Sequence, residues 1–414
     1  MKYVSELKCI NCEKTYTWND KSITYICEKC GGNLEILYDY TEISKVISRK
    51  SLAQDNEHSL WRYRPFYPID SQTPVSPLQV GWTPLYKADT LAGILGIEKL
   101  YIKDEGRNPS ASFKDRAGSI ALCAAIERSM LNITGASTGN AGSSMACLCA
   151  SMGISPVIFV PYKAPKAKIA QLLLYGARVL AVKGTYDEAF DLCLEVSDHY
   201  GWFNRNTGYN PFTREGKKSC SFEICEQLAW NVPDWIFVSV GDGNIISGIW
   251  KGLKDLKETG FIEKVPKLCA VQSKKSNSVA LSFKNYKGGD IKIEPVSATT
   301  IADSISVDLP RDGVSAVKAI LESKGTAIEI SDEEILSAIK LISENTGVFA
   351  EPAGSASVAG LKALIERGIV KPNETAICVI TGNGLKDIES GLRSAGEPEL
   401  IEPDLKDVMK LLDS

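Results

Sequence analysis

The sequence predicts an α/β protein: a parallel sheet covered on both faces by helices, with a small cysteine-bound unit in front of it. Three observations carry this. Short, continuous apolar runs recur along the chain, as strands buried on both faces require. Helical patterns separate them, as the right-handed crossovers between parallel strands require. Four cysteines, Cys9, Cys12, Cys27 and Cys30, stand in two pairs near the start.

The bulk numbers narrow the class. A chain of 414 residues is long enough for two or three domains with substantial cores. Its net charge of −4, from 47 basic and 51 acidic residues, gives no electrostatic footprint for nucleic acid or an anionic membrane. No 18-residue apolar run occurs, so no transmembrane helix is expected. The stretch Met1 to Lys8 lacks an apolar signal core, and the expected location is the cytoplasm. Of twelve cysteines, eight are scattered through apolar segments, which fits a reducing compartment better than a disulfide framework. The two histidines, His58 and His199, lie in polar sequence and argue against a histidine-based triad or a His-rich zinc site.

Residues 1–40 read as a zinc ribbon. The pairs Cys9-x2-Cys12 and Cys27-x2-Cys30 are divided by fourteen residues. Between them, Thr15 to Trp18 and Ile23 to Ile26 read as strands on either side of a turn at Asn19-Asp20. Four thiolates suit tetrahedral Zn²⁺, and a unit this small needs a staple. The four cysteines are therefore the candidate ligands of a structural zinc ion. A ribbon of this kind could also be a nucleic-acid or protein contact module.

Residues 41–80, with Pro65, Pro68, Pro74 and Pro77, read as a linking region. Strands are then expected at Leu100–Lys103, Val157–Val160, Val179–Val182, Trp235–Val240, Leu268–Val271 and Ala376–Ile380.

Four stretches carry the chemistry. In Ser112-Phe113-Lys114-Asp115-Arg116, one lysine follows a turn at Asn108-Pro109-Ser110 and opens an alanine-rich helix. Such an amine, partly deprotonated and held between small-residue loops, can bond covalently to an aldehyde cofactor. Ser137-Thr138-Gly139-Asn140-Ala141-Gly142 precedes a second helix, where backbone N–H groups could hold a substrate carboxylate and Asn140 could reach a ring hydroxyl. Gly241-Asp242-Gly243-Asn244-Ile245 follows the most apolar strand and opens a third helix. It lacks the frame of a dinucleotide loop and the lysine of a P-loop, so one small phosphate fits it better. Thr381-Gly382-Asn383-Gly384 also follows an apolar strand, at the edge where open α/β sheets bind ligands. Each stretch alone reads equally well as a surface lysine, an N-cap or a tight turn.

Together, these residues resemble the threonine synthases of the fold-type-II pyridoxal-phosphate enzymes. The resemblance runs through Leu60 to Arg64, Thr83-Pro84-Leu85, Lys103-Asp104-Glu105, Asn210-Pro211, Arg214 to Lys217, Glu351 to Gly354 and Thr381 to Asp387. It implies a tryptophan synthase β-like fold of two open, mostly parallel sheets flanked by helices. A larger cofactor domain would take 81–120 and 216–395, a smaller mobile domain 121–215, and a tail 396–414. It implies pyridoxal 5′-phosphate as cofactor and a homodimer. Lys114 looks like the Schiff-base lysine, Asn140 like the partner of the cofactor's 3′-oxygen, and Gly241 to Ile245 like the phosphate cradle. Thr381 looks like the hydroxyl facing the pyridine nitrogen.

The implied reaction turns O-phospho-L-homoserine and water into L-threonine and phosphate. Candidates for the substrate's carboxylate and phosphate are Ser137, Thr138, Lys163, Lys168, Arg205, Arg214 and Lys217. The alternatives on the same scaffold are a threonine or serine ammonia-lyase and a cysteate synthase-like β-replacing enzyme. A further alternative is a zinc-ribbon module on an inactive scaffold. Four positions depart from the family's usual pattern: Ala111 and Ala117 stand where glycine is usual, Val80 where an acid is usual, and Gly142 where a larger residue is frequent.

Overall fold

A computed structural model of the chain describes residues 2–413 except Thr138 and Pro165. In chain order the strands are β1 (Val4–Cys9), β2 (Thr15–Thr17), β3 (Leu34–Tyr38), β4 (Leu85–Lys87), β5 (Lys99–Asp104), β6 (Ile133–Ala136) and β7 (Val157–Pro161). There follow β8 (Arg178–Val182), β9 (Phe203–Asn204), β10 (Trp235–Ser239), β11 (Lys267–Ser273), β12 (Thr326–Ile330) and β13 (Thr375–Ile380).

They form three sheets, ordered β2-β1-β3, β12-β11-β10-β13-β5-β4 and β8-β7-β6-β9. The two larger sheets are parallel throughout, except that β4 runs antiparallel to β5 at an edge. All six apolar runs are strands. Four strands lack that signature. β6 reads Ile-Thr-Gly-Ala, and Gly135 is small because a Cβ there would lie 2.8 Å from Arg205 Cδ. β12 alternates in burial at a sheet edge. β4 and β9 have only three and two residues.

The cysteine head departs from the expected hairpin. Thr15–Thr17 is a strand, but Ile23–Ile26 makes only an isolated bridge, Ile26 to Asn33. Tyr25 is taken elsewhere: its ring stacks on Tyr209 at 4.7 Å, and its hydroxyl accepts the Asn204 N–H at 3.0 Å. The head's third strand is instead β3, paired to β1. The apolar side chains of these strands, Leu7, Leu34, Ile36 and Tyr38, join the same core as Phe212, Phe222 and Ile249. Residues 41–80 are not a slack linker. They hold two short helices and a 3₁₀ turn at Leu60–Phe66, whose Leu60, Tyr63 and Phe66 are buried.

Strand order decides where the chemistry meets. β10, β13 and β5 are consecutive neighbours in the large sheet, in parallel register with Phe237 opposite Cys378 and Ile380 opposite Asp104. Their carboxyl ends therefore deliver the loops at 240–244, 381–384 and 105–113 to one edge.

Candidate active site

The loop before Lys114 and the loop after β13 are laced together by the backbone. Phe113 N–H donates to Thr381 C=O at 2.9 Å, Asn383 N–H donates to Ala111 C=O at 3.1 Å, and Ser112 bridges Gly382. Glu351 N–H donates to Gly382 C=O at 3.0 Å, which fixes a third element at the same point. Lys114, Thr381 and Glu351 thus line one cavity of about 620 Å³ with Asn140, Arg205 and the 241–245 loop. That volume suits a cofactor with an amino acid beside it.

The helix that begins at Lys114 is anchored from beneath. Arg116, fully buried, donates to Glu105 at 2.6 and 2.7 Å and to Glu223 at 2.5 and 2.7 Å. Buried Lys103 donates to Glu223 at 2.7 Å. Burial alone would raise the Glu223 pKa, but Arg116 and Lys103 outweigh it and hold the carboxyl down to about 2. Two cations and two anions thus neutralise one another in the core. Lys114 itself is half-buried, and desolvation lowers its amine below the ordinary value. Arg205 adds to that lowering, while Asp242 and Glu351 oppose it.

The 241–245 loop has the form of an anion cradle. Gly243 sits at φ +92°, and a Cβ there would fall 2.7 Å from Asp312 C=O. A Cβ on Gly241 would fall 2.8 Å from Ile305 Cα. The helix Asn244–Glu258 starts here with no side-chain cap, so its first N–H groups are open to an anion.

Residues 77–382 match the family of pyridoxal-phosphate dependent enzymes. Threonine synthase of Methanocaldococcus jannaschii is 39% identical over 98% of this chain and 98% of its own. That of Methanosarcina acetivorans is 37% identical over 96% of each chain. The chain belongs to the pyridoxal-phosphate dependent enzymes, among the threonine synthases. In fold it is similar to tomato threonine deaminase isoform 2, with a TM-score of 0.64, 24% identity and coverage of 76% of this chain and 87% of the other. Maize serine racemase gives a TM-score of 0.62 at 22% identity, with coverage of 75% and 92%. At these identities the two structures speak to the fold alone.

The residues present fit the family's cofactor. Arg205 is 1% exposed and lines the cavity, yet among the described residues its Nε and Nη2 have no hydrogen-bond partner. The hydroxyls of Thr207 and Ser239, in the same wall, are also buried and without a partner among the described residues. Orphaned donors of this kind mark a site shaped for a polar ligand. Burial holds the Arg205 guanidinium down to about 10.

Other predicted residues fall in less expected places. Asn140 opens the helix Asn140–Ser151, but its amide donates to both oxygens of Glu351, at 2.9 and 3.0 Å. Ser137 Oγ accepts from Gly139 and Gly142 N–H, so it shapes the loop. Arg214 does not line the cavity; it is committed to Asp312 at 2.5 Å. Lys217 also lies behind the wall, where it donates to Asn244 Oδ1. Its amine is held well down by burial and by Lys114 and Arg205. Lys163 is exposed. Thr138 and the Lys168 side chain lie outside the described residues.

Glu351 and Asp312 carry no sequence assignment. Glu351 stands in the quoted Glu-Pro-Ala-Gly run, but only the pairing of Ala350 with Asn383 brings it to the cavity. Asp312 lies in no recognisable motif.

Outside the cavity lining, the Sγ atoms of Cys9, Cys12, Cys27 and Cys30 all lie within 4.8 Å of one another. Burial works to raise the Cys27 thiol, yet the Tyr16 hydroxyl and the N–H groups of Cys30 and Lys29 bring it down to about 6. Burial pushes the Cys9 thiol the other way, up to about 12, so the clustering of four Sγ atoms is what suits a metal ion. Among the described residues, no helix is long and apolar enough to cross a membrane.

Proposed function

We propose the following division of labour for the threonine synthase reaction, in which O-phospho-L-homoserine and water become L-threonine and phosphate. Pyridoxal phosphate, when bound, supplies the electron sink that makes the Cα and Cβ protons of the substrate labile. Lys114 would hold that cofactor and take the protons from Cα and Cβ; as phosphate leaves Cγ a proton is returned there to form the methyl group, water adds at Cβ, and Cα regains its proton. The lowered pKa of its desolvated amine supports both roles. Gly241 to Ile245 and the open helix start hold the cofactor phosphate. Thr381 faces the pyridine nitrogen, and Asn140, steadied by Glu351, faces the 3′-oxygen.

Arg205 receives the phosphate that departs from Cγ. Of the proposed cations whose side chains are described, it is the one in the cavity wall with unpartnered donors. Ser137 and Thr138 serve the substrate carboxylate through their loop. Lys163 and Lys168 belong to the 121–215 segment, which closes over the substrate and excludes water during the early steps. Lys114 and the unpartnered Arg205 opening into one cavity carry this assignment.

The test supplies O-phospho-L-homoserine and measures phosphate and threonine together. Equal release is expected, with Arg205→Gln raising KM at least tenfold and Lys114→Ala abolishing the yellow cofactor colour. Phosphate without threonine, or neither product from yellow protein, would refute it.

The four-cysteine cluster is read as a structural zinc site, for which metal analysis should find about one zinc per chain. Exposed apolar side chains on the C-terminal helices, Leu392 and Leu405 among them, support a homodimer. Light scattering decides that point.

A further inference from the structure

The cysteine head touches the phosphate cradle through one short chain of hydrogen bonds. Asn33 lies three residues beyond Cys30, and both knuckles hold its backbone. Ile10, between Cys9 and Cys12, donates its N–H to Asn33 C=O at 3.0 Å, and Ile26, next to Cys27, bridges Asn33. The Asn33 side chain reaches out of the head. Its Nδ2 donates to Arg311 C=O at 2.8 Å and to Asp312 Oδ1 at 3.0 Å.

Asp312 in turn grips the cradle from behind. Its carboxylate accepts from Asn244 Nδ2 at 2.6 Å, Ser247 Oγ at 2.6 Å and Arg214 Nη2 at 2.5 Å. Its own N–H donates to Asp242 C=O at 2.9 Å, and Arg311 N–H donates to Asp242 Oδ1 at 2.8 Å. The Asp312 C=O is also the atom that a Cβ on Gly243 would meet first. The whole path from knuckle to cradle is two side chains long. Asp312 is 1% exposed, so water cannot easily replace a lost partner.

We propose that Asn33 is a positioning residue, through which the folded cysteine head fixes the shape of the cofactor-phosphate loop. The head then acts on catalysis indirectly, by keeping Asn244 and the first turn of its helix aimed at the phosphate. The inference rests on reading 241–245 as the phosphate cradle.

The test uses full-length Asn33→Ala and the milder Asn33→Ser, each checked for zinc content. Two probes are titrated into cofactor-free protein: pyridoxal phosphate, and pyridoxal, which lacks the phosphate. The variants should keep wild-type zinc and lose about tenfold in pyridoxal phosphate affinity, the scale of one hydrogen bond to a charged group. Pyridoxal affinity should stay unchanged. Chelating the metal from the wild-type protein should give the same phosphate-selective loss, and should add nothing in Asn33→Ala. Unchanged pyridoxal phosphate affinity in both variants overturns the proposal, as does an equal loss for both probes. Indifference of the wild-type protein to chelation overturns the head's part in it. Gly243→Ala, which places a methyl against Asp312 C=O, separates the two readings. If it also leaves pyridoxal phosphate affinity intact, the cradle reading fails; if it weakens binding while the Asn33 variants are silent, only the relay fails.

Discussion

Ala111 shows how one residue can depart from a family pattern and still be read physically. Its φ of +61° lies in the left-handed region, where glycine is the ordinary occupant. The turn that delivers Lys114 therefore carries local strain, held in place by Asn383 N–H on Ala111 C=O. Ala111→Gly relieves that strain, at the cost of a more flexible unfolded chain. A net gain of about 0.5 kcal/mol is expected in urea denaturation. A loss of stability would show that the Ala111 methyl makes packing contacts worth more than the strain.

Lys114 sets a pH prediction at the same scale. In the role proposed for it the neutral form is the reactive one, so cofactor capture should rise with pH through a pKa below the ordinary 10.5. Arg205 disfavours the ammonium, so Arg205→Gln should raise that pKa and move the rising limb to higher pH. Asp242 favours the ammonium, so Asp242→Asn should move it to lower pH. Colour formation by cofactor-free protein, followed against pH, checks both signs. A limb that moves in neither variant would refute the coupling.

At the scale of elements, the helix Lys114–Glu127 is positioned by charges that a sequence pattern treats as surface. Arg116, Lys103, Glu105 and Glu223 are all fully buried and come from four separate elements. Arg116→Met leaves two buried carboxylates short of a partner, a change that costs about 3–5 kcal/mol. Chemical denaturation measures it, and a loss under 1 kcal/mol would mean that water or relaxation satisfies the acids. Glu223 also gives an acid limit. Its folded pKa of about 2 lies below the ordinary 4.5, so its contribution is present above 4.5 and fades as pH falls toward 2.

Across the whole molecule, the head, the large sheet and the small sheet share contacts instead of hanging from linkers. Tyr38 on β3 donates to Glu215 at 2.5 Å, and buried Lys251 donates to the same carboxylate and to Ile36 C=O. Removing the metal should therefore loosen residues 10–33 while β3 stays docked. Limited proteolysis after chelation should cut between 10 and 33 and spare the remainder. Cleavage spread over the chain would show that the metal supports the global fold.

The class of fold, the lysine that lines the cavity and the loops that follow β10 and β13 were all legible in the sequence. Continuous apolar runs and small-residue loops are local signals, and local chemistry limits what they can form. The four-cysteine spacing was legible for the same reason. Tertiary structure alone decided that Arg214 and Lys217 stand behind the cavity wall while Arg205 opens into it. It alone brought Glu351 to Asn140, joined Asn33 to Asp312, and drew Tyr25 out of the expected ribbon hairpin. Those outcomes depend on which distant groups share a buried space. A charged residue's local sequence is the same whether it faces solvent, a partner carboxylate or a ligand.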